Sequence, residues 1–252
     1  MWACDRFGWH TDMQQLGKYL DKITDSLNQK GLIPTILWIC MAILRRAKRW
    51  TPVAILRRHQ EENFDMHYGV VTKVGEDVDR SGIGEEQSCH CYEYQPASVV
   101  MVKKSLKNLQ ICYEEYVFID LGSGKGRVLV LAAEFPFKKI IGVEIIEELH
   151  NIAEQNIRNC YLPSYAKQRI ESVLMDVSNF RFPNENLVLF LFNPFSEKII
   201  RHVIRNLYTS LQEKPRKIIV MYMNPAHASP FEESKIFSYV ERRKAGICYK
   251  EY

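Results

Sequence analysis

No apolar run in the sequence is long enough to cross a bilayer. The longest, LIPTILWICMAIL at residues 32–44, falls short of the ~20 residues a spanning helix needs. The basic cluster RRAKRW follows that run instead of preceding it, which is unlike a signal peptide. Cysteine is sparse and irregular: seven, at positions 4, 40, 89, 91, 112, 160 and 248, with no repeated spacing. An odd, unpatterned set argues against a disulfide scaffold and for a reducing, cytoplasmic setting. No C-x-x-C pair accompanies Cys89, His90 and Cys91, and residues so close in sequence do not readily share one tetrahedral ion, so no metal is expected. Internal repeats and low-complexity tracts are missing too.

The charge that is present is uneven. Residues 1–60 hold ten Lys/Arg against four Asp, a local +6 in a chain of formal net charge +4, so the remainder is acidic by two. Attraction to anionic lipid or nucleic acid therefore belongs to this quarter, and peripheral membrane contact through residues 32–50 is one reading of it. The plainer reading is a helix packed by its apolar face with its basic end in water. Leu16, Tyr19, Leu20, Ile23 and Leu27 fall at helical spacing, Gly31 is a stop, and Pro34 suits the first turn of a second helix that ends near Trp50. PVAILRRHQEENF predicts a third, and residues 75–91 a polar, glycine-containing loop. The expected organisation is a helical extension and loop over residues 1–92, then a domain over residues 93–252.

From Ser98, a candidate helix cap, the pattern becomes an alternation. Apolar strands are predicted at 116–121, 139–145, 169–175, 186–192 and 216–223, with helices at about 126–135, 147–160 and 196–211 between them. Strands apolar throughout and separated by helices predict an α/β fold, a doubly wound, mainly parallel sheet covered on both faces. Two short segments around Gly246 suit an antiparallel pair at one edge.

Ligands of such sheets bind beyond the carboxyl ends of the strands, and four successive ends are polar: Asp120 to Gly126, Glu144, Asp176, and Asn193 with Pro194 and Phe195. Only 12 glycines occur in the chain, yet three stand within 122–126. A phosphate-gripping G-x-x-x-x-G-K-[ST] loop is excluded, because position 119 is Ile and Lys125 is followed by glycine. A dinucleotide G-x-G-x-x-G loop wants glycine at 127, where Arg127 stands.

The pattern D-x-G-x-G-x-G is met in full by Asp120, Gly122, Gly124 and Gly126, with Glu144 ending the next strand. Here the chain resembles the class I S-adenosylmethionine-dependent methyltransferases. The resemblance implies a seven-strand, Rossmann-like fold and S-adenosylmethionine as cofactor. It also implies roles: Asp120, Gly122, Ser123, Gly124 and Gly126 around the amino-acid part, Glu144 on the ribose hydroxyls, Asp176 and Val177 at the adenine. A carboxylate at Asp120 suits an ammonium, and Glu144 can accept two hydroxyls.

The segment LFNPFSEK resembles the [D/N]-P-P-[Y/F] element of amine methyltransferases, short by one proline. By that resemblance Asn193 and Pro194 accept hydrogen bonds from a target nitrogen and Phe195 lines the pocket; a turn that caps the helix starting near Ser196 is an equal reading. Together with Tyr94 and Pro96 upstream, the motif resembles a group of methyltransferases of mostly undefined substrate, and the DLGSG core resembles the seven-strand histone-lysine enzymes. The expectation is methyl transfer to a nitrogen, a protein lysine or another amine. Nucleic acid is less favoured, since no base-reading region is evident. A non-catalytic protein of the same fold that docks a partner or membrane through its basic helices is the alternative, and a nicotinamide-dependent oxidoreductase the third. His227 is read as a loop residue, with general base as the lesser role.

Overall fold

The computed structural model describes residues 52–73, 94–192, 195–234, 236–237, 239–243 and 246–250, and isolated positions between 22 and 36. Apart from Pro34 and Ile36, residues 32–50 lie outside this set, as do Cys89, His90, Cys91, Asn193 and Pro194. The chain divides into two compact units, Met1–His59 and Gln60–Tyr252. Among the described residues no helix is long and apolar enough to cross a membrane.

The second unit is built on a seven-stranded sheet of order β3-β2-β1-β4-β5-β7-β6. Strands β1 (Tyr116–Leu121), β2 (Lys139–Glu144), β3 (Ile170–Leu174), β4 (Asn186–Phe192) and β5 (Ile218–Met223) pair in parallel. The last two, β6 (Tyr239–Arg243) and β7 (Gly246–Lys250), form an antiparallel hairpin, and β7 lies antiparallel against β5. All six residues of β1 are buried, as a central strand covered on both faces requires. The expected strands thus appear within two residues at every boundary. The C-terminal pair closes the edge by inserting its second strand first.

Alternation along each strand divides the core in two. Tyr116 and Phe118 of β1, Val188 and Phe190 of β4, and Ile219 and Met221 of β5 face one layer. Here they meet Val102 and Leu106 of helix α2 (Val99–Lys107) and Leu129 and Val130 of α3 (Arg127–Ala132). Val117, Ile119, Leu187, Leu189, Val220 and Tyr222 face the other layer, against Ile200, Val203 and Leu207 of α6 (Glu197–Glu213). Helix α4 (Glu147–Asn159) packs on β2 and β3, and two short turns of helix, α5 (Ser164–Lys167) and α7 (Ser229–Glu233), were not signalled by any periodicity. Ser98 is the N-cap of α2 and its side chain accepts from Met101 N–H, as its residue type predicts.

Helix α1 (Pro52–Tyr68) ends inside this unit. Phe64 and Tyr68 are buried in the first layer. Lys103 Nζ donates to Tyr68 Oη at 2.7 Å and pairs with Glu134 at 2.8 Å, while Tyr68 also donates to Glu134. The stretch from Gln60 to Lys73, drawn from sequence as part of the extension, therefore packs with the sheet.

Both edges of the sheet are charged. The edge strand β3 includes Glu171, ion-paired with Lys139 at 2.5 Å, and the opposite edge strand, β6, has the sequence YVERR.

Candidate functional site

The order of strands reverses between β1 and β4, and a cavity of about 520 Å³ opens at their carboxyl ends. Its lining brings together Asp120, Gly122, Ser123, Gly124, Glu144, Asp176 and Val177, which the sequence singled out, with Phe195, Tyr94 and Pro96. Gly126 stands back from the lining, at the N-cap of α3. His227 is not among the lining residues.

The loop after β1 is shaped by its own backbone. Gly122, Gly124 and Gly126 all have positive φ, at 82°, 53° and 80°. At Gly124 a Cβ would stand 2.4 Å from the Tyr94 ring, so the residue must be glycine on steric as well as conformational grounds. Gly122 N–H and Ser123 N–H both donate to Val143 O, at 2.9 and 3.1 Å, and tie the loop to the end of β2.

One residue further along β2, Glu144 is nearly buried. Its Oε2 accepts from Gly124 N–H at 2.8 Å, and its Oε1 accepts from Ile145 N–H at 3.0 Å and Ile146 N–H at 2.9 Å. Three backbone donors thus fix the carboxylate against the glycine loop. Asp120 lies on the same side of β1 as Phe118 and is 3% exposed. Burial, and then the neighbouring Glu144 carboxylate, push its pKa well above the ordinary aspartate range. No hydrogen bond or ion pair from a described residue reaches its side chain. Ser123 Oγ, also buried, has no hydrogen-bond partner. Asp176 Oδ1 accepts from Ser178 N–H at 2.8 Å and so caps the turn that presents Val177. The helix expected to start near Ser196 is α6, with Ser196 at its N-cap and no side-chain capping bond.

Several residues that build the site had no motif to reveal them. Arg127, notable in the sequence only for not being glycine, is 5% exposed and serves as a buried cation. Its Nε donates to Thr72 Oγ1 at 2.8 Å, its guanidinium pairs with Glu61 at 3.4 Å and Asp65 at 3.8 Å, and it lies 4.8 Å from the centre of the Phe64 ring. Asp65 in turn accepts from Thr72 N–H at 2.9 Å and Lys73 N–H at 3.1 Å. Asn156 of α4 binds both sides: its Oδ1 accepts from Val71 N–H at 2.8 Å, and its Nδ2 donates to Val71 O at 3.0 Å and to Lys125 O at 2.8 Å. Tyr94 Oη donates to Thr72 O at 2.7 Å, and the Lys125 ammonium sits 5.3 Å from the ring centre. Burial raises the Tyr94 phenol pKa, so it remains a donor. The glycine loop is thus strapped by residues 61–73 on one side and covered by Tyr94 on the other.

The profile of a family described as "Histone methylation protein DOT1" matches residues 90–202. That span holds the glycine loop, Glu144, Asp176 and the NPF segment, in the strand order just described. Over that stretch, less than half of its length, the chain is similar to this methyltransferase family. Solved structures similar to this chain include a predicted N6-adenine-specific DNA methylase from Listeria monocytogenes, 16% identical with a TM-score of 0.49 over 64% of this chain and 52% of that one. A SAM-dependent O-methyltransferase from Thermotoga maritima is 15% identical, TM-score 0.46, over 63% and 66% of the two chains. A SAM-dependent methyltransferase from Aquifex aeolicus is 14% identical, TM-score 0.44, over 63% and 97%. This chain thus spans about half the length of the Listeria protein. Among curated proteins none matches.

The cavity suits S-adenosylmethionine, the cofactor that the resemblance implies. Its volume falls in the ~300–1,000 Å³ usual for small-molecule sites. Asp120, a buried acid to which no described residue donates, would suit a cationic ligand group.

Proposed function

We propose that this chain is an S-adenosylmethionine-dependent methyltransferase that acts on a neutral nitrogen, a protein lysine or another amine. The observation that carries the reading is the division of the cavity: its acids, Asp120, Glu144 and Asp176, end β1, β2 and β3, whereas Phe190, Phe192, Phe195 and Ile199 form an apolar wall along β4 and α6. The cofactor, when bound, supplies a methyl group already activated on a sulfonium, so the reaction asks little acid or base chemistry of the protein. In this reading Asp120 receives the ammonium of the amino-acid part and Glu144, fixed by its three backbone donors, uses its remaining acceptor capacity on the ribose hydroxyls. The backbone of Gly122, Ser123 and Gly124 lies along the amino-acid part, and Asp176 with Val177 flanks the adenine.

In the same reading Asn193 and Pro194, which follow β4 in the sequence, accept from the N–H of the acceptor, and Phe195 shapes its slot. The apolar wall excludes water and disfavours the ammonium form of the amine, which has no lone pair to offer. Alignment of this kind contributes up to ~7–11 kcal/mol to such a reaction, and the proton left on the product goes to solvent. The description of the matched family, histone methylation, supports a protein acceptor.

Two measurements test the reading. Titration with S-adenosylhomocysteine should give binding that Asp120→Ala and Gly124→Val abolish; unimpaired binding in both variants would sink it. Radiolabelled methyl groups transferred to cell-extract protein should survive mild alkali and acid hydrolysis as N-methyl amino acids. Label released by alkali, as from a methyl ester, would exclude the nitrogen acceptor.

A further inference from the structure

Adjacent strands of the sheet end in the same dipeptide. Phe192 of β4 pairs with Met223 of β5; Asn193-Pro194 follows the first in sequence and Asn224-Pro225 the second. Asn224 is described by the structure, and its backbone is unusual twice over. Its φ is +47°, in the left-handed region that asparagine enters more readily than other non-glycine residues, and it precedes a proline, which pushes its neighbour toward extended conformations instead. Conformations of this kind persist where the surrounding structure imposes them, and they concentrate at functional sites.

The second observation is chemical. Among described lining residues from β4 onward, Phe190, Phe192, Phe195 and Ile199 are apolar and Asn224 alone is polar. A few polar groups in an apolar pocket are what set the orientation of its ligand. A carboxamide is also the right group for an amine acceptor. Its oxygen accepts an N–H, yet being neutral it does not favour the charged ammonium as a carboxylate would.

We infer that Asn224 is an acceptor-binding residue whose side-chain oxygen takes an N–H of the incoming amine. This rests on the nitrogen-acceptor reading above and adds to it a second strand end, that of β5. The left-handed backbone matters because it fixes where the carboxamide can reach. Asn224→Gly therefore separates the two roles, since it relieves the backbone while removing the group that binds.

The test uses the full chain and three probes in calorimetric titrations. One is S-adenosylhomocysteine; the other two replace its sulfur by nitrogen carrying either a 2-aminoethyl or a propyl arm, which extends toward the acceptor. The preference for the aminoethyl over the propyl arm should fall about five- to tenfold in Asn224→Gly, the size of one hydrogen bond between neutral groups once the apolar wall has stripped the amine of its proton. S-adenosylhomocysteine affinity should stay within about twofold and the thermal midpoint should not drop, the glycine being at ease in this conformation. Equal preference in wild type and Asn224→Gly overturns the inference. Should the glycine variant not fold, Asn224→Asp, of the same shape and still an acceptor, should keep or raise the preference; its loss there overturns the inference as well. If no probe binds the wild-type protein, the methyltransferase reading itself falls and this inference with it, a result distinct from equal preference.

Discussion

Asp120 and Glu144 place two carboxylates side by side at the ends of adjacent strands. Asp120 holds its proton more tightly when folded than when unfolded, since burial and Glu144 both raise its pKa. Its contribution to stability is therefore complete below the unfolded value of about 4 and is lost as pH rises through the folded value. Two outcomes are expected. In Asp120→Asn the ligand-free protein should lose this falling component and be more stable at neutral pH, by denaturant midpoint. In the wild-type protein, affinity for S-adenosylhomocysteine should rise with pH over the same window with uptake of its ammonium, and titrations in buffers of different ionisation enthalpy should register proton release; Asp120→Asn should show neither. At Gly124 the cause is steric. Gly124→Ala should weaken S-adenosylhomocysteine binding at least ~10-fold through its positive φ and the Tyr94 ring, and Tyr94→Ala should restore part of the loss in a double-mutant cycle.

The elements that hold the glycine loop divide into those visible in the sequence and those not. Strands, major helices and the polar strand ends were legible because each rests on local pattern: apolar runs, helical spacing, a carboxylate before three glycines. Arg127, Thr72, Asp65 and Asn156 were not, since each is defined by partners tens of residues distant, up to 85 between Asn156 and Val71. No periodicity encodes that. The same holds for Asn224, whose signal was a repeated Asn-Pro that acquires meaning only once β4 and β5 are known to be neighbours. The strap has an energetic consequence. Asn156→Ala removes three hydrogen bonds and should cost about 2–3 kcal/mol in urea denaturation. Arg127→Leu, which leaves Glu61 and Asp65 without their cation, should cost about 3 kcal/mol or more.

Across the whole molecule, the compact unit that carries the cavity begins at Gln60, ahead of the matched family region, which begins at residue 90. A chain that starts at Pro52 keeps every contact of Glu61, Asp65 and Thr72 with Arg127, whereas one that starts at Tyr94 loses them all. The shorter chain is expected to be less stable by several kcal/mol, roughly the sum of a broken buried ion pair and its hydrogen bonds, and to bind S-adenosylhomocysteine poorly.

The two ends of the sheet bear on a different property, how the protein behaves when crowded. An exposed edge strand offers unpaired backbone donors and acceptors to any extended chain it meets. Here one edge strand contains Glu171 and the other Glu241, Arg242 and Arg243. Charges on an edge make strand-by-strand addition costly. Replacing Glu171 by Val, or Arg242 and Arg243 by Thr, should leave the cavity intact and raise light scattering on concentration. The fold then guards its own solubility with residues that take no part in methyl transfer.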